Sequence, residues 1–112
     1  GGLFDLKHDE GGIVDVEFCV QYLVLRDCGS VPGLADNVGN IALLRRAGAA
    51  GRIDAGVAEA AADAYRELRR RQHVVKLGGA EFARVPGAEL VAVRAAVRRL
   101  WSETMRSPLP PA

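Results

Sequence analysis

Aromatic side chains are scarce, at 5% of the 112 residues. A platform that stacks single-stranded nucleic acid has little to be built from. Nor is there a surplus of one charge. Fifteen Lys and Arg face 14 Asp and Glu, leaving a net charge of +1, where a dedicated nucleic-acid binder carries a large basic excess. No nucleic-acid partner is expected. Cysteine is limited to Cys19 and Cys28. On one helix these lie ~13.5 Å apart along the axis, beyond the ~7 Å that a disulfide tolerates between Cα atoms, so two free thiols in a reducing compartment are expected. The longest apolar stretch, residues 13–25, is interrupted by Asp15, Glu17 and Gln21. It is shorter than the ~20 residues a bilayer requires. With no signal peptide in view either, a soluble, cytoplasmic chain without a membrane partner is expected.

What is present is enough apolar material for a core, at 49%. The length suits one small domain or a piece of a larger protein. The periodicity predicts four helices. Residues 1–12 read as a polar, glycine-bearing leading segment in which Leu3, Phe4 and Leu6 suit a short extended piece. The first helix runs from Ile13 to about Cys28 and is apolar on almost every face, the mark of a central helix. Its β-branched run also permits a strand, but its length and the interspersed Glu17, Gln21 and Arg26 favour a helix.

A second helix spans roughly Asp36 to Ala47, capped by Asp36 or Asn37. The third follows Asp54 and ends at Gly78-Gly79, with Ala61, Ala64, Tyr65, Leu68 and Val75 as its buried stripe. Its small-residue first half invites a close neighbour. The fourth opens near Pro86 and runs to about Arg106, with Trp101 in its core face. The fold expected is all-α, an antiparallel bundle of about four helices. Its domain occupies residues 13–107 and is followed by a Pro-rich tail at 108–112. Charge is uneven along it, net −3 over residues 1–56 and +4 over residues 57–112.

Three groups of residues can carry chemistry. Asp15-x-Glu17 would share a Mg²⁺ on a strand, where side chains two apart lie on one face. On a helix they diverge by about 200°, and an acidic first turn favoured by the helix dipole is the simpler reading. Lys7 to Glu17, KHDEGGIVDVE, places a lysine and two glycines before a helix start, where backbone N–H groups bind anions. It matches neither phosphate-loop pattern. Arg69, Arg70, Arg71 and His73 make the end of the third helix basic, as a solvated face or as a docking surface. His8, His73 and the two cysteines show no zinc-ligand spacing. No metal site is expected.

The segment FDLKHDEGGIVDVEFCVQYLVLR, residues 4–26, resembles a signature of the bacterial glutamine synthetase adenylyltransferase/adenylyl-removing family. The signature reads lysine, a charged spacer, Gly-Gly, aliphatic, any residue, Asp, aliphatic, Glu, aromatic. DNVGNIALL and the Tyr65-Arg66-Glu67-Leu68-Arg69 run with His73 resemble later parts of the same family. A related helical domain occurs in the uridylyltransferase of the PII signalling protein, which is the alternative. The resemblance implies a parent enzyme that moves AMP from ATP to a tyrosine of glutamine synthetase, uses Mg²⁺, and removes the AMP in its other half. PII and glutamine would regulate it.

The family's catalytic aspartates follow a Gly-Ser turn on a sheet. No such pattern with D-x-D occurs here, so no catalytic residue, bound cofactor or metal is expected in this chain. The resemblance further implies that residues 1–12 form a hinge from an upstream nucleotidyltransferase domain. Lys7, Gly11, Gly12, Asp15 and Glu17 would then lie near the nucleotide or the domain interface. Arg69, Arg70, Arg71 and His73 would dock PII, glutamine synthetase or the enzyme's own regulatory region.

Overall fold

A computed structural model of the chain describes residues 2–79 and 83–106. The Pro-rich tail at 108–112 and the last residue of the expected bundle, 107, lie outside the described residues. In chain order the elements are strand β1 (Leu3–Asp5), helices α1 (Ile13–Asp27), α2 (Asn40–Ala49) and α3 (Ala55–Leu77), strand β2 (Arg84–Pro86), a 3₁₀ turn (Gly87–Leu90) and helix α4 (Val91–Met105). The four expected helices are present, joined by a small ribbon that helical periodicity does not report.

That ribbon pairs β1 with β2 antiparallel, with Phe4 opposite Val85. Both inward side chains are buried, and Leu6, just beyond β1, is fully so. The hydrogen-bonded ladder extends past the strands through Leu6 N–H to Ala83 O and Gly87 N–H to Gly2 O. Its edges offer little to a further strand. The Asp5 N–H is taken by the Asp9 carboxylate, and Pro86 has no N–H to give. Phe4 and Leu6 of the leading segment therefore belong to the core, while residues 7–10 are exposed.

α3 is the central element, packed on α2 and α4. Its start is fixed by Asp54, whose carboxylate accepts the Val57 N–H at 3.0 Å, and by Glu103 of α4, which accepts the Asp54 N–H. Ala58, Ala61, Ala62 and Ala64 are buried. They allow α2 so close that a Cβ built on Gly48 would lie 2.8 Å from Ala58 Cβ.

Four expectations need correction. α1 is not central: Ile13, Val16, Cys19, Val20 and Leu23 are buried, while Val14, Phe18 and Leu25 on its other side face solvent. Trp101 is 38% exposed rather than core, stacked on Phe18 at 5.3 Å between ring centroids. α2 starts at Asn40 behind an extended Gly39, because Asp36 pairs with Arg46 at 2.8 Å instead of capping. α4 starts at Val91, since Pro86 closes the ribbon and a 3₁₀ turn follows.

Candidate functional site

The leading loop is held by its own carboxylates. Asp5 Oδ1 accepts the N–H groups of Lys7 and His8 at 2.9 and 3.0 Å, an Asx turn. Slight burial raises the Asp5 pKa, but those two N–H groups and the charges of His8 and Arg84 outweigh it and hold the carboxyl below its usual value. Asp15, third residue of α1, reaches back to accept the Gly11 N–H at 2.8 Å, a variation on the capping box. The first N–H groups of α1 are also engaged. Ile13 donates to Leu6 O and Val14 to Lys7 O. The helix start is thus stitched to the strand that precedes it.

The two glycines serve the same stitch. A Cβ on Gly12 would sit 2.7 Å from Leu6 O and 2.9 Å from Asp9 O. Gly11 has φ +87° and lies 3.0 Å, by the same measure, from Arg94 Cβ. The close approach these glycines permit is to the protein's own backbone and to α4. The Arg94 guanidinium lies 4.2 Å over the Phe4 ring and donates to Glu10 O. Lys7 is exposed, and its side chain makes no ion pair among the described residues.

Asp15 and Glu17 part company, as helical geometry predicts. Glu17 Oε2 accepts the Tyr65 hydroxyl at 3.1 Å, and that hydroxyl accepts from Asn40 Nδ2 at 3.0 Å. Burial raises the Tyr65 pKa, as does the Glu17 carboxylate; Asn40 and Arg69 act in the opposite direction. This chain of contacts joins the three stretches singled out in the sequence: the GGIVDVE helix, DNVGN and the Tyr65–Arg69 run. The convergence is not visible along the sequence. A buried tyrosine hydroxyl needs a partner, however, and that need was the available signal. No three His, Cys, Asp or Glu among the described residues are placed to hold a metal ion.

A second clamp lies at the other end of α1. Arg26 forks onto Asp27 Oδ2 at 2.7 and 2.9 Å, with only 9% and 10% of the two side chains exposed. Its guanidinium also reaches Arg52 O at 3.3 Å. Nearby, Thr104 is fully buried, and its hydroxyl faces the Cys19 thiol. Burial pushes the Cys19 thiol up to about 12, with Thr104 opposing and Asp15 adding to the shift.

Beside the leading loop is a cavity of about 570 Å³ lined by His8, Glu10, Asp15, Arg98, Trp101 and Ser102. Arg98 Nε lies 3.3 Å from Glu10 Oε1. The basic end of α3 is far from uniformly free. Arg70 is paired with Glu67 at 2.6 Å, and Arg71 with Glu89 at 2.8 Å and Glu67 at 3.5 Å. Arg69 and His73 are exposed and form no ion pair among the described residues.

Comparison with known proteins gives one consistent answer. A stretch of 104 residues, 93% of this chain, is 56% identical to the bifunctional glutamine synthetase adenylyltransferase/adenylyl-removing enzyme of Bordetella bronchiseptica, and covers 11% of it. The enzyme of the same name from Nitrosomonas europaea is 50% identical over 90% of this chain and 12% of its own length. That from Ralstonia nicotianae is 52% identical over 94% and 11%. The chain thus spans about a tenth of the length of the curated relatives it matches. No family model matches it, and no solved structure does.

Proposed function

We propose, on the premise that this chain is homologous to one segment of the bifunctional glutamine synthetase adenylyltransferase/adenylyl-removing enzyme, that it is the helical part trailing the catalytic domain that adenylylates glutamine synthetase. ATP, Mg²⁺ and the catalytic aspartates belong to that upstream domain in this reading. The chain supplies the helical domain at residues 13–107, and residues 1–12, whose Phe4 and Leu6 pack into its core, join it to the catalytic domain. Regulation of nitrogen assimilation by AMP transfer in the bacterial cytoplasm is the process it serves.

The observation that carries this reading is the way KHDEGGIVDVE is spent. Both glycines accommodate the protein's own atoms. Asp15 holds the Gly11 amide and Glu17 holds the Tyr65 hydroxyl. The two carboxylates are held by partners from a turn and from α3, and they face apart. Lys7 alone of this group presents an uncommitted charge, and it is the residue assigned to the nucleotide phosphates. Gly11, Gly12, Asp15 and Glu17 fix the loop that carries it. On the far side, Arg69 and His73 present the basic surface for PII, glutamine synthetase or the regulatory region, and Arg70 and Arg71 are held beside them by Glu67 and Glu89.

The test is AMP incorporation from labelled ATP–Mg²⁺ into glutamine synthetase. It compares the 112-residue chain with the full parent polypeptide. Transfer by the parent and none by the chain is expected, with Lys7→Ala in the parent raising the KM for ATP. Transfer by the chain itself would overturn the mounting role, and transfer by neither would overturn the family-based function.

A further inference from the structure

α3 runs on after its packing has ended. Its last buried residue is Leu68, and none of the nine residues from Arg69 to Leu77 is buried. That is about two and a half turns, or ~13.5 Å of helix. The projecting end is nonetheless aimed. Arg71 pairs with Glu89 of the 3₁₀ turn at 2.8 Å, and Arg70 pairs with Glu67 at 2.6 Å. These acids sort the cations. Arg69, His73 and Lys76 are exposed and form no ion pair among the described residues. Steps of four and three align them on one stripe, ~10.5 Å from first to last. Beside that stripe lie Val74 and Leu77, 53% and 75% exposed. The end of α3 therefore carries a row of unpaired cations edged by two aliphatic side chains that the bundle does not cover.

We propose that this end of α3 docks an acidic amphipathic helix of another protein. That helix lays carboxylates along the Arg69–His73–Lys76 stripe at the same steps, and aliphatic side chains against Val74 and Leu77. The inference deepens the docking role given above to Arg69 and His73 and rests on it. Charge complementarity selects the sign, since cations on a fixed helix draw an acidic partner and repel a basic one. The pattern selects a helix. An apolar edge flanked by charges at helical pitch is half of a two-helix seam, in which the flanking charges choose the partner. The aliphatic pair disfavours nucleic acid, which would engage the cations through phosphate and leave Val74 and Leu77 in water. A membrane surface asks for Trp, Phe or Leu along a whole helix face, and this end offers two aliphatic residues and no ring. Because the helix is already formed and tied down by Arg71, little ordering cost falls on binding.

Fluorescence anisotropy tests this, with the chain titrated into a labelled synthetic peptide. The probe is an alanine-rich helix of about 20 residues, with Glu at i, i+4 and i+7 and Leu beside them. A scrambled peptide of the same composition and vesicles of phosphatidylcholine with phosphatidylserine are the controls. The ordered peptide should bind about tenfold or more tightly than the scrambled one. Its affinity should fall about fivefold between about 50 and about 300 mM salt. Arg69→Glu/Lys76→Glu should weaken binding about tenfold or more, and Leu77→Ser about threefold. Both variants should keep the melting temperature within about 2 °C, as for surface substitutions generally.

Equal binding of the two peptides, or binding of neither, overturns the proposal. So does unchanged affinity in the Arg69→Glu/Lys76→Glu variant. Tighter binding to the vesicles than to the ordered peptide would assign this end of α3 to an anionic membrane instead. AMP transfer by the full parent polypeptide separates the two readings. Peptide binding without transfer keeps the docking surface and removes the proposed function. Transfer without peptide binding removes the docking surface alone.

Discussion

The Arg26–Asp27 pair permits the sharpest stability prediction. Both side chains are about nine-tenths buried, and two guanidinium nitrogens converge on one carboxylate oxygen. Removing Arg26 alone strands a carboxylate where water scarcely reaches. Breaking one partner of a buried pair costs about 3–5 kcal/mol. Arg26→Met keeps most of the packing of the stem and isolates the electrostatic loss. For a chain of this size whose total stability is about 5–15 kcal/mol, that is a large share. The urea midpoint should fall by about 1.5–2.5 M at a slope near 2 kcal/mol/M. Asp27→Leu alone strands the guanidinium, although Arg52 O still accepts from it, and should cost somewhat less. The double variant Arg26→Met/Asp27→Leu removes both charges and should recover to within about 1 kcal/mol of the parent sequence, because a well-packed apolar pair replaces a buried ion pair at little net cost. Urea titrations followed by the single tryptophan, Trp101, and by circular dichroism give the cycle. Additive single effects each below about 1 kcal/mol would show that the pair is solvated and that the clamp is a surface contact.

Three further outcomes follow from the same packing. Gly12→Ala should destabilise the chain by about 2–4 kcal/mol, since the new methyl meets two backbone oxygens that cannot move aside; a change in denaturation midpoint under about 0.5 kcal/mol would refute the internal role of the Gly-Gly pair. Cys28 is exposed and Cys19 buried, so a thiol reagent should label Cys28 at once and Cys19 only on unfolding. Burial raises the folded Cys19 pKa from 9.0 to about 12. The fold therefore favours the neutral thiol: its contribution is complete below about pH 9, where the unfolded thiol begins to ionise, and is lost as pH rises toward 12. Cys19→Val should flatten that alkaline slope.

The helices were legible because their apolar spacing and end signals are local. Asp54 at the start of α3 and Gly78-Gly79 at its end behave as their chemistry dictates. Half of the ribbon was legible: Leu3, Phe4 and Leu6 read as a short extended piece, and β1 covers Leu3–Asp5; its partner β2 was not, because a three-residue strand carries no period and lies at the opposite end of the chain. Pro86 was misread for the same reason: a proline that opens a helix and one that closes an edge strand look alike without the partner strand. α1 was misjudged because an all-round apolar helix is central only if the protein supplies neighbours on every side. For the candidate site, residue types were readable and their use was not. Asp15-x-Glu17 diverges as helical spacing requires, but the partners that claim the two carboxylates, Gly11 and Tyr65, come from a turn and from another helix.

The pairing of β1 with β2 also bears on how the molecule is made. Phe4 and Val85 are joined across about 80 residues of intervening chain, so closing that contact costs roughly 4 kcal/mol of loop entropy. α1 and α4 pack across nearly the same span of chain, so the ribbon and the bundle share one closure. On a ribosome, the first strand therefore waits, with Phe4 and Leu6 uncovered, until nearly the whole domain has emerged. Only when residues 84–86 have been made can the leading segment take up a defined direction, so anything attached upstream is oriented late in synthesis.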